Sequence, residues 1–431
     1  MVGVLTLIYV FSFIDRQILT LLVGPIRRDL QISDTQMSLL MGLTFAVFYT
    51  FFGIPLGRMA DSGNRRGIIA TGFAMWSLFT AGCGLAKSFL HMALMRIGVG
   101  VGEASLSPSA YSMIADYFPQ QTRATAISVY GMGIYIGAGL ASLLGGVVIK
   151  LASTQEMWTL PVLGEVRPWQ TIFFAVGLPG ILLAPILFTV AEPVRRGVKS
   201  AAGAGVPFRE VLAYGRRNHW TFFCHNFGIS FVSVTAYGSV SWLPTMFQRV
   251  HHWTAADIGI RYGLVLAIFG TLGIVSGGRF ADHLRSRGHR DASMRVMSLA
   301  PLCYLPCLLC VSLIPNPWVA FCFLIPATFF SAAPFGVAPA AITEIMPNPM
   351  RGQAAAAYLF VNNLVGLGLG PTAVAMITDY VFHDDSRVNH SLAVVASLAL
   401  TTAAILLRLG LPKFRKSLDR LAEYSRSGVE G

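Results

Sequence analysis

Apolar residues in this chain do not alternate with polar ones. They run in blocks of roughly 20, the length a helix needs to cross a bilayer core. Read against their breakers, the blocks number about twelve. They lie near 1–23, 35–57, 68–86, 90–114, 124–149 and 168–190, then 219–247, 258–280, 293–314, 317–342, 353–378 and 388–410. Continuous runs favour spanning helices over a β-barrel, because barrel strands alternate, and a helix pairs its own backbone in lipid. The longest polar connection is 191–218, with Glu192-Pro193, Arg195, Arg196, Lys199, an Ala/Gly run to Gly205, then Arg209, Arg216 and Arg217. The pattern predicts an all-α integral membrane protein of twelve transmembrane helices. It has an N-terminal six-helix bundle over 1–190, a linker over 191–218, a C-terminal six-helix bundle over 219–410 and a basic tail over 411–431.

Composition agrees. Of 431 residues, 54% are hydrophobic and only 12% charged, against about a quarter charged in soluble domains; mean hydropathy is +0.62. Met1 to Ile14 lacks a basic start and runs into Asp15-Arg16 without a small-residue cleavage pattern, so it reads as the first span and not a secretory signal. The net charge of +12 does not signal nucleic acid, because topology distributes it. Loops and ends after even-numbered spans, with the tail, carry 22 Lys and Arg; those after odd-numbered spans carry 8. That split places the linker and both termini in the cytoplasm. The tail interleaves its basic residues with Phe414, Leu418, Leu421 and Tyr424, as a short helix on the inner membrane surface or a solvated tail would. The six cysteines sit in apolar segments, and Cys303, Cys307 and Cys310 share a helical face with no His or carboxylate nearby, so they read as packing residues and no metal or other cofactor is expected.

The chain repeats itself. Gly57-Arg58-Met59-Ala60-Asp61, followed by Arg65 and Arg66, reappears 221 positions on as Gly278-Arg279-Phe280-Ala281-Asp282, followed by Arg285 and Arg287. Asp116-Tyr117-Phe118-Pro119 leading to Arg123 reappears 228 positions on as Glu344-Ile345-Met346-Pro347 leading to Arg351. Two motif pairs in order at nearly one offset indicate two parallel halves. These turns between spans 2 and 3, with two six-span halves and a central loop, resemble the major facilitator superfamily. The resemblance implies two bundles rocking about a central cavity. Asp61 with Arg123, and Asp282 with Arg351, are the expected ion pairs of a cytoplasmic gate that also includes Arg65 and Arg285.

Four ionisable residues lie well inside spans: Asp15, Arg16, Arg96 and Glu103. A charge at the bilayer centre costs about 2.5–3.5 kcal/mol on insertion scales, so such residues usually serve a function. Arg96 and Glu103 are two helical turns apart on one face of span 4; Asp15 and Arg16 point about 100° apart on span 1. Asp15 can pair with Arg96 or Arg16, and Glu103 with either arginine. The acids are the candidate proton-coupling residues, since burial favours a neutral carboxyl and a nearby Arg the charged one. Arg16 and Arg96, which keep their charge, are the candidate substrate-anion binders. The second half offers only neutral groups at this depth, among them His225, Asn226, Tyr237, Asn362 and Asn363; His225 reads as a packing histidine. Glycines 131, 133, 137, 139, 145 and 146 on span 5 permit close helix approach. They resemble the superfamily's antiporter motif but lack its Gly-Pro, so they give no transport direction.

Phe13-Ile14-Asp15-Arg16, Arg96-Ile97-Gly98-Val99-Gly100-Val101-Gly102-Glu103-Ala104-Ser105 and Ile114-Ala115-Asp116-Tyr117-Phe118-Pro119 resemble the spinster family. That resemblance implies a secondary active transporter of a lysophospholipid or sphingosine-1-phosphate-like anion. Protons and membrane lipids would be its other partners, and it would work as a monomer in a bacterial inner membrane. Arg16 and Arg96 suit the phosphate; Phe329, Phe330, Phe335 and Met346 suit the tail. A multidrug antiporter of the same fold remains the alternative. An enzyme is disfavoured by the absence of a nucleophile or metal motif.

Overall fold

The computed structural model describes residues 1–118, 120–152, 157–160, 164–193, 208–347 and 350–427. Part of the linker, with Arg195, Arg196 and Lys199, lies outside them. The first apolar blocks form α1 (Val2–Leu21), α2 (Val23–Leu30), α3 (Asp34–Met41), α4 (Leu43–Ser62) and α5 (Arg65–Cys83). Next come α6 (Phe89–Glu103), α7 (Leu106–Tyr117), α8 (Gln120–Ala152) and α9 (Pro168–Leu183), with a small hairpin of β1 (Trp158–Leu160) and β2 (Gly164–Val166) before α9. Then follow α10 (Phe208–Arg217), α11 (His219–Val250), α12 (Ala255–Val265), α13 (Thr271–Ser286), α14 (Ala292–Leu313), α15 (Pro317–Ala332) and α16 (Ala338–Glu344). The chain closes with α17 (Arg351–Asn362), α18 (Gly368–Ile377) and α19 (Val388–Ser427).

Among the described residues, nine helical stretches are long and apolar enough to cross a membrane. The other three expected spans fall short for chemical reasons. Span 3 is α5, which opens on Arg65-Arg66. Span 4 is divided between α6 and α7 at Ala104-Ser105, next to Glu103. Span 7 is α11, whose hydropathy is diluted by His225, Asn226 and a series of Ser and Thr. The spans that read least like membrane helices include one that carries two of the buried charges.

Two compact units share the chain. The first comprises Met1–Gly197, Val240–Ile268 and Pro371–Val388; the second comprises Val198–Ser239, Phe269–Gly370 and Asn389–Gly431. The first unit therefore contains segments from both sequence halves. A close crossing within it is α8 against α12, where a Cβ on Gly139 would stand 2.7 Å from the Gly263 carbonyl and one on Gly263 2.5 Å from the Gly139 carbonyl. Only glycine allows this mutual approach, as expected of small residues in membrane helices. The last span and the tail form one helix: α19 runs 40 residues with Phe414 fully buried. The tail thus continues the last span as helix, with Phe414 and Ser417 buried and Lys413, Arg415 and Lys416 exposed.

Candidate functional site

The four charges converge in the first unit. Glu103, the last residue of α6, is 1% exposed; Asp15 is 1% and Arg96 0%. Arg16 reaches Glu103 from α1: its Nε donates to Glu103 Oε2 at 2.7 Å and its Nη2 pairs with the same oxygen. Ser12, one turn before Arg16, donates its hydroxyl to that oxygen at 2.7 Å. Of the pairings open to Glu103, the chain uses Arg16. Asp15, by contrast, forms no ion pair among the described residues, and its Oδ1 makes no hydrogen bond. Thr80 and Trp76 stand beside it.

Arg96 is buried without a carboxylate partner among the described residues. Its Nε donates to the Leu40 carbonyl at 3.2 Å, its Nη1 to the Asp15 backbone carbonyl at 3.4 Å, and its Nη2 to nothing described. Glu103 Oε1 is also without a hydrogen bond. A fully satisfied buried network is ordinarily static. This one keeps an acceptor on each acid and a donor on one base unused. Three rings surround the Arg16 guanidinium, with centroids at 4.4 Å for Phe45, 5.0 Å for Phe13 and 5.0 Å for Tyr49. Arg16 is also the most accessible of the four, its side chain 17% exposed.

Among the described residues, the second half shows no such cluster within its spans. His225 is buried, its Nε2 hydrogen-bonded to the Ala338 carbonyl at 3.0 Å and its Nδ1 meeting Asn226 Oδ1 at 2.9 Å. Ser233 donates to Asn362 Oδ1 at 2.6 Å. These groups are neutral and partnered, in keeping with a packing histidine. Phe329, Phe330 and Phe335 are half-buried and Met346 is 1% exposed.

The charged turns pair differently from the expectation. The side chains of Asp61 and Arg123 fall outside what the structure describes. Arg65 is fully buried and pairs with Asp116 and with Glu192 at 2.8 Å, and it donates to Ser112 Oγ at 3.0 Å and the Pro193 carbonyl at 2.8 Å. In the second half Asp282 pairs with Arg285 at 3.1 Å, not with Arg351, whose Nε donates to the Met346 carbonyl at 3.2 Å. Arg285 also pairs with Glu344. In both halves, then, the base of the first motif meets the acid of the second. Arg351 begins α17, and its side chain caps the backbone it springs from, five residues back.

A second ionic group was not singled out by sequence. At the opposite end of the first unit, Asp34 is fully buried between Arg27 at 3.0 Å and Arg249 at 2.5 Å. Arg27 also reaches Asp385 at 2.5 Å, and Asp379 accepts the Thr35 N–H at 2.7 Å. A capping box, Ser33 with Gln36, starts α3 and aims Asp34. Gln31, His252 and His383, in the three neighbouring turns, take left-handed backbone with φ of 52°, 55° and 52°, strain of the kind retained at functional sites. The available signal was Ser33-Asp34-x-Gln36 at a helix start, opposite arginines on a side where arginines are few.

A multi-span helical protein with duplicated charged turns and buried ionic residues within its spans is a membrane solute carrier in class. The chain belongs to the Major Facilitator Superfamily, which its residues 5–371 match; that fold has twelve spans in two pseudo-symmetric bundles, and the protein is a multi-pass integral membrane transporter and not an enzyme. It is 28% identical to an MFS-type efflux pump of Mycolicibacterium smegmatis over 97% of this chain and 93% of that protein. It is 26% identical to protein spinster homolog 1 of Xenopus tropicalis, over 88% of this chain and 72% of that one. A solved bacterial homolog of the human lysosomal transporter spinster, in an inward-facing and unoccupied conformation, superposes with a TM-score of 0.78 at 28% identity, covering 98% and 97% of the two chains.

Proposed function

We propose that the protein carries a lysophospholipid or sphingosine-1-phosphate-like anion by alternating access, coupled to protons through the Asp15–Arg16–Arg96–Glu103 cluster. The carrying observation is the uneven pairing. Arg16 is engaged by Glu103, while Asp15 and Arg96 are buried without an ion pair. An arriving phosphate competes with Glu103 for Arg16 and finds the unused Arg96 donor close by. Glu103, losing its cation in a dry site, then takes a proton. Anion and proton occupancy are linked because one guanidinium cannot serve both acids. The rings around Arg16 suit the apolar start of a lipid tail.

In this reading the Arg65–Asp116–Glu192 and Arg285–Glu344 brackets lie at the cytoplasmic end with Asp61, Arg123, Asp282 and Arg351, where they brace the gate. Asp34, Arg27, Arg249 and Asp385 form the outer gate, tying the end of α11 to the α2–α3 turn. The Arg285–Glu344 bracket, with Arg285 half-exposed, contributes about 1 kcal/mol, which suits states of similar stability.

A second reading is drug efflux, favoured by the relative named as an efflux pump. A cationic substrate would then meet Glu103 in place of Arg16. Purified protein in liposomes, tested with a labelled lysophospholipid and with a cationic dye under an imposed pH gradient, separates the two. Lysolipid movement lost in Arg16→Gln supports the first; dye movement insensitive to Arg16→Gln supports the second.

A further inference from the structure

Where α13 gives way to α14, a cavity of about 290 Å³ opens within the second unit. Arg295, Arg408 and Arg415 line it together with Leu284, Leu299 and Leu411. Through Arg295 and Arg415 it adjoins a second hollow of about 370 Å³, which also takes in Asp291, Arg290 and Asp419. Asp291 is the organiser. Its two oxygens take the Nε protons of Arg295 at 2.8 Å and of Arg415 at 2.7 Å. Both guanidiniums are thereby oriented while their terminal nitrogens keep no described partner. Arg290 and Asp419 cancel each other at 2.9 Å, and Arg408 has no ion pair among the described residues. One carboxylate thus faces three arginines, leaving two positive charges uncompensated.

Position narrows what can fill it. From Val388, the first residue of α19, to Arg408 is twenty residues, about 30 Å of helix, which matches the thickness of a hydrocarbon core. Arg408 therefore stands where core meets headgroups, and Arg415 about 10 Å beyond it. The apolar wall is partly open: Leu299 is 39% exposed, and Leu284 and Leu411 are half-buried. A soluble phosphate would leave that wall wet. A lipid would meet both halves of the hollow at once.

We infer that this hollow is a headgroup site for an anionic membrane phospholipid, its phosphodiester held by Arg295, Arg408 and Arg415 and an acyl chain laid along Leu284, Leu299 and Leu411. The site is separate from the buried cluster of the first unit and independent of the transported substrate. A lipid held there ties α19 to the start of α14.

The test uses the full chain, purified in detergent, with three probes: dioleoylphosphatidylglycerol, dioleoylphosphatidylcholine and water-soluble glycerol phosphate. Retained adducts are read by native mass spectrometry and protection by the thermal midpoint. Phosphatidylglycerol is expected to bind and raise the midpoint, and the other two are not. Arg408→Gln and Arg415→Gln should each weaken phosphatidylglycerol about five-fold, the effect of one basic residue near an anionic headgroup. Arg28→Gln, an exposed arginine of the first unit, should leave binding unchanged. Arg408 has no described partner, so its replacement tests the site without disturbing Asp291. Equal binding of both lipids, or unchanged phosphatidylglycerol affinity in Arg408→Gln, overturns the inference. Equal protection by glycerol phosphate assigns the hollow to a soluble phosphate and overturns it too.

Discussion

Span 4 and its repeat, span 10, differ where it matters. The 228-residue offset that aligns their following motifs sets Arg96 against Leu324 and Glu103 against Ser331. Leu324 is 1% exposed in α15 and packs as any core leucine does. Ser331 donates to the Thr328 carbonyl in its own turn at 2.8 Å. One copy of the module thus spends two charges in the membrane and the other spends none. Both copies fold into helices, so the charges are not needed for the fold. Ionic residues retained in lipid at a cost are there for something the second copy does not do.

The largest expected effect comes from giving the second copy what the first has. Leu324→Arg places a cation where no acceptor is prepared and should cost about 2.5–3.5 kcal/mol on insertion scales, seen as loss of folded protein in size-exclusion chromatography. If Leu324→Arg is tolerated, burial of Arg96 says little and the comparison breaks. Next comes Glu103→Leu, which strands Arg16 and should cost about 3 kcal/mol in thermal unfolding. Ser331→Ala, its counterpart, should stay within about 0.5 kcal/mol. The charged turns repeat the contrast at smaller scale. Arg65 is fully buried with four acceptors, whereas Arg285 is 47% exposed. Arg65→Gln should cost about 2–3 kcal/mol by stranding Asp116 and Glu192, and Arg285→Gln no more than about 1 kcal/mol.

The smallest effect is one of pH. Burial at Asp291 works to raise its pKa, but hydrogen bonds from Arg415 and Arg295 outweigh it and hold the carboxyl below the usual carboxylate range. Its folded value lies below its unfolded one, so the stability it contributes is present above the unfolded pKa, about 3.9. It is lost only as pH falls through the folded value. Thermal midpoints of wild type and Asp291→Asn should therefore differ by a constant amount from pH 7 to 5 and converge below about pH 4.

Much of this was legible from residues alone. Block length and the two motif pairs revealed the spans and the repeat, because lipid imposes a simple constraint on any chain that crosses it. The same cost singled out Asp15, Arg16, Arg96 and Glu103. Pairing was not legible. Helical spacing places Arg96 and Glu103 on one face of span 4, but whether Glu103 meets Arg96 or Arg16 depends on how α1 rotates against α6, which no local pattern encodes. Likewise Asp282 was expected to reach Arg351 across the loop, yet Arg285 stands one turn away on the same helix. Asp34 was missed because, although Arg27 lies seven residues before it, its other arginine, Arg249, comes 215 residues later. Only the assembled unit brings Arg249 to Asp34.

The direct test of the proton-linked cluster is uptake of labelled lysophospholipid into proteoliposomes, with and without a pH gradient, for wild type and Glu103→Gln. Glutamine keeps the shape and frees Arg16 but carries no proton. The account predicts that the gradient accelerates wild-type transport several-fold, while Glu103→Gln still binds lysolipid and moves it at one rate regardless of gradient. Full gradient dependence in Glu103→Gln would contradict it.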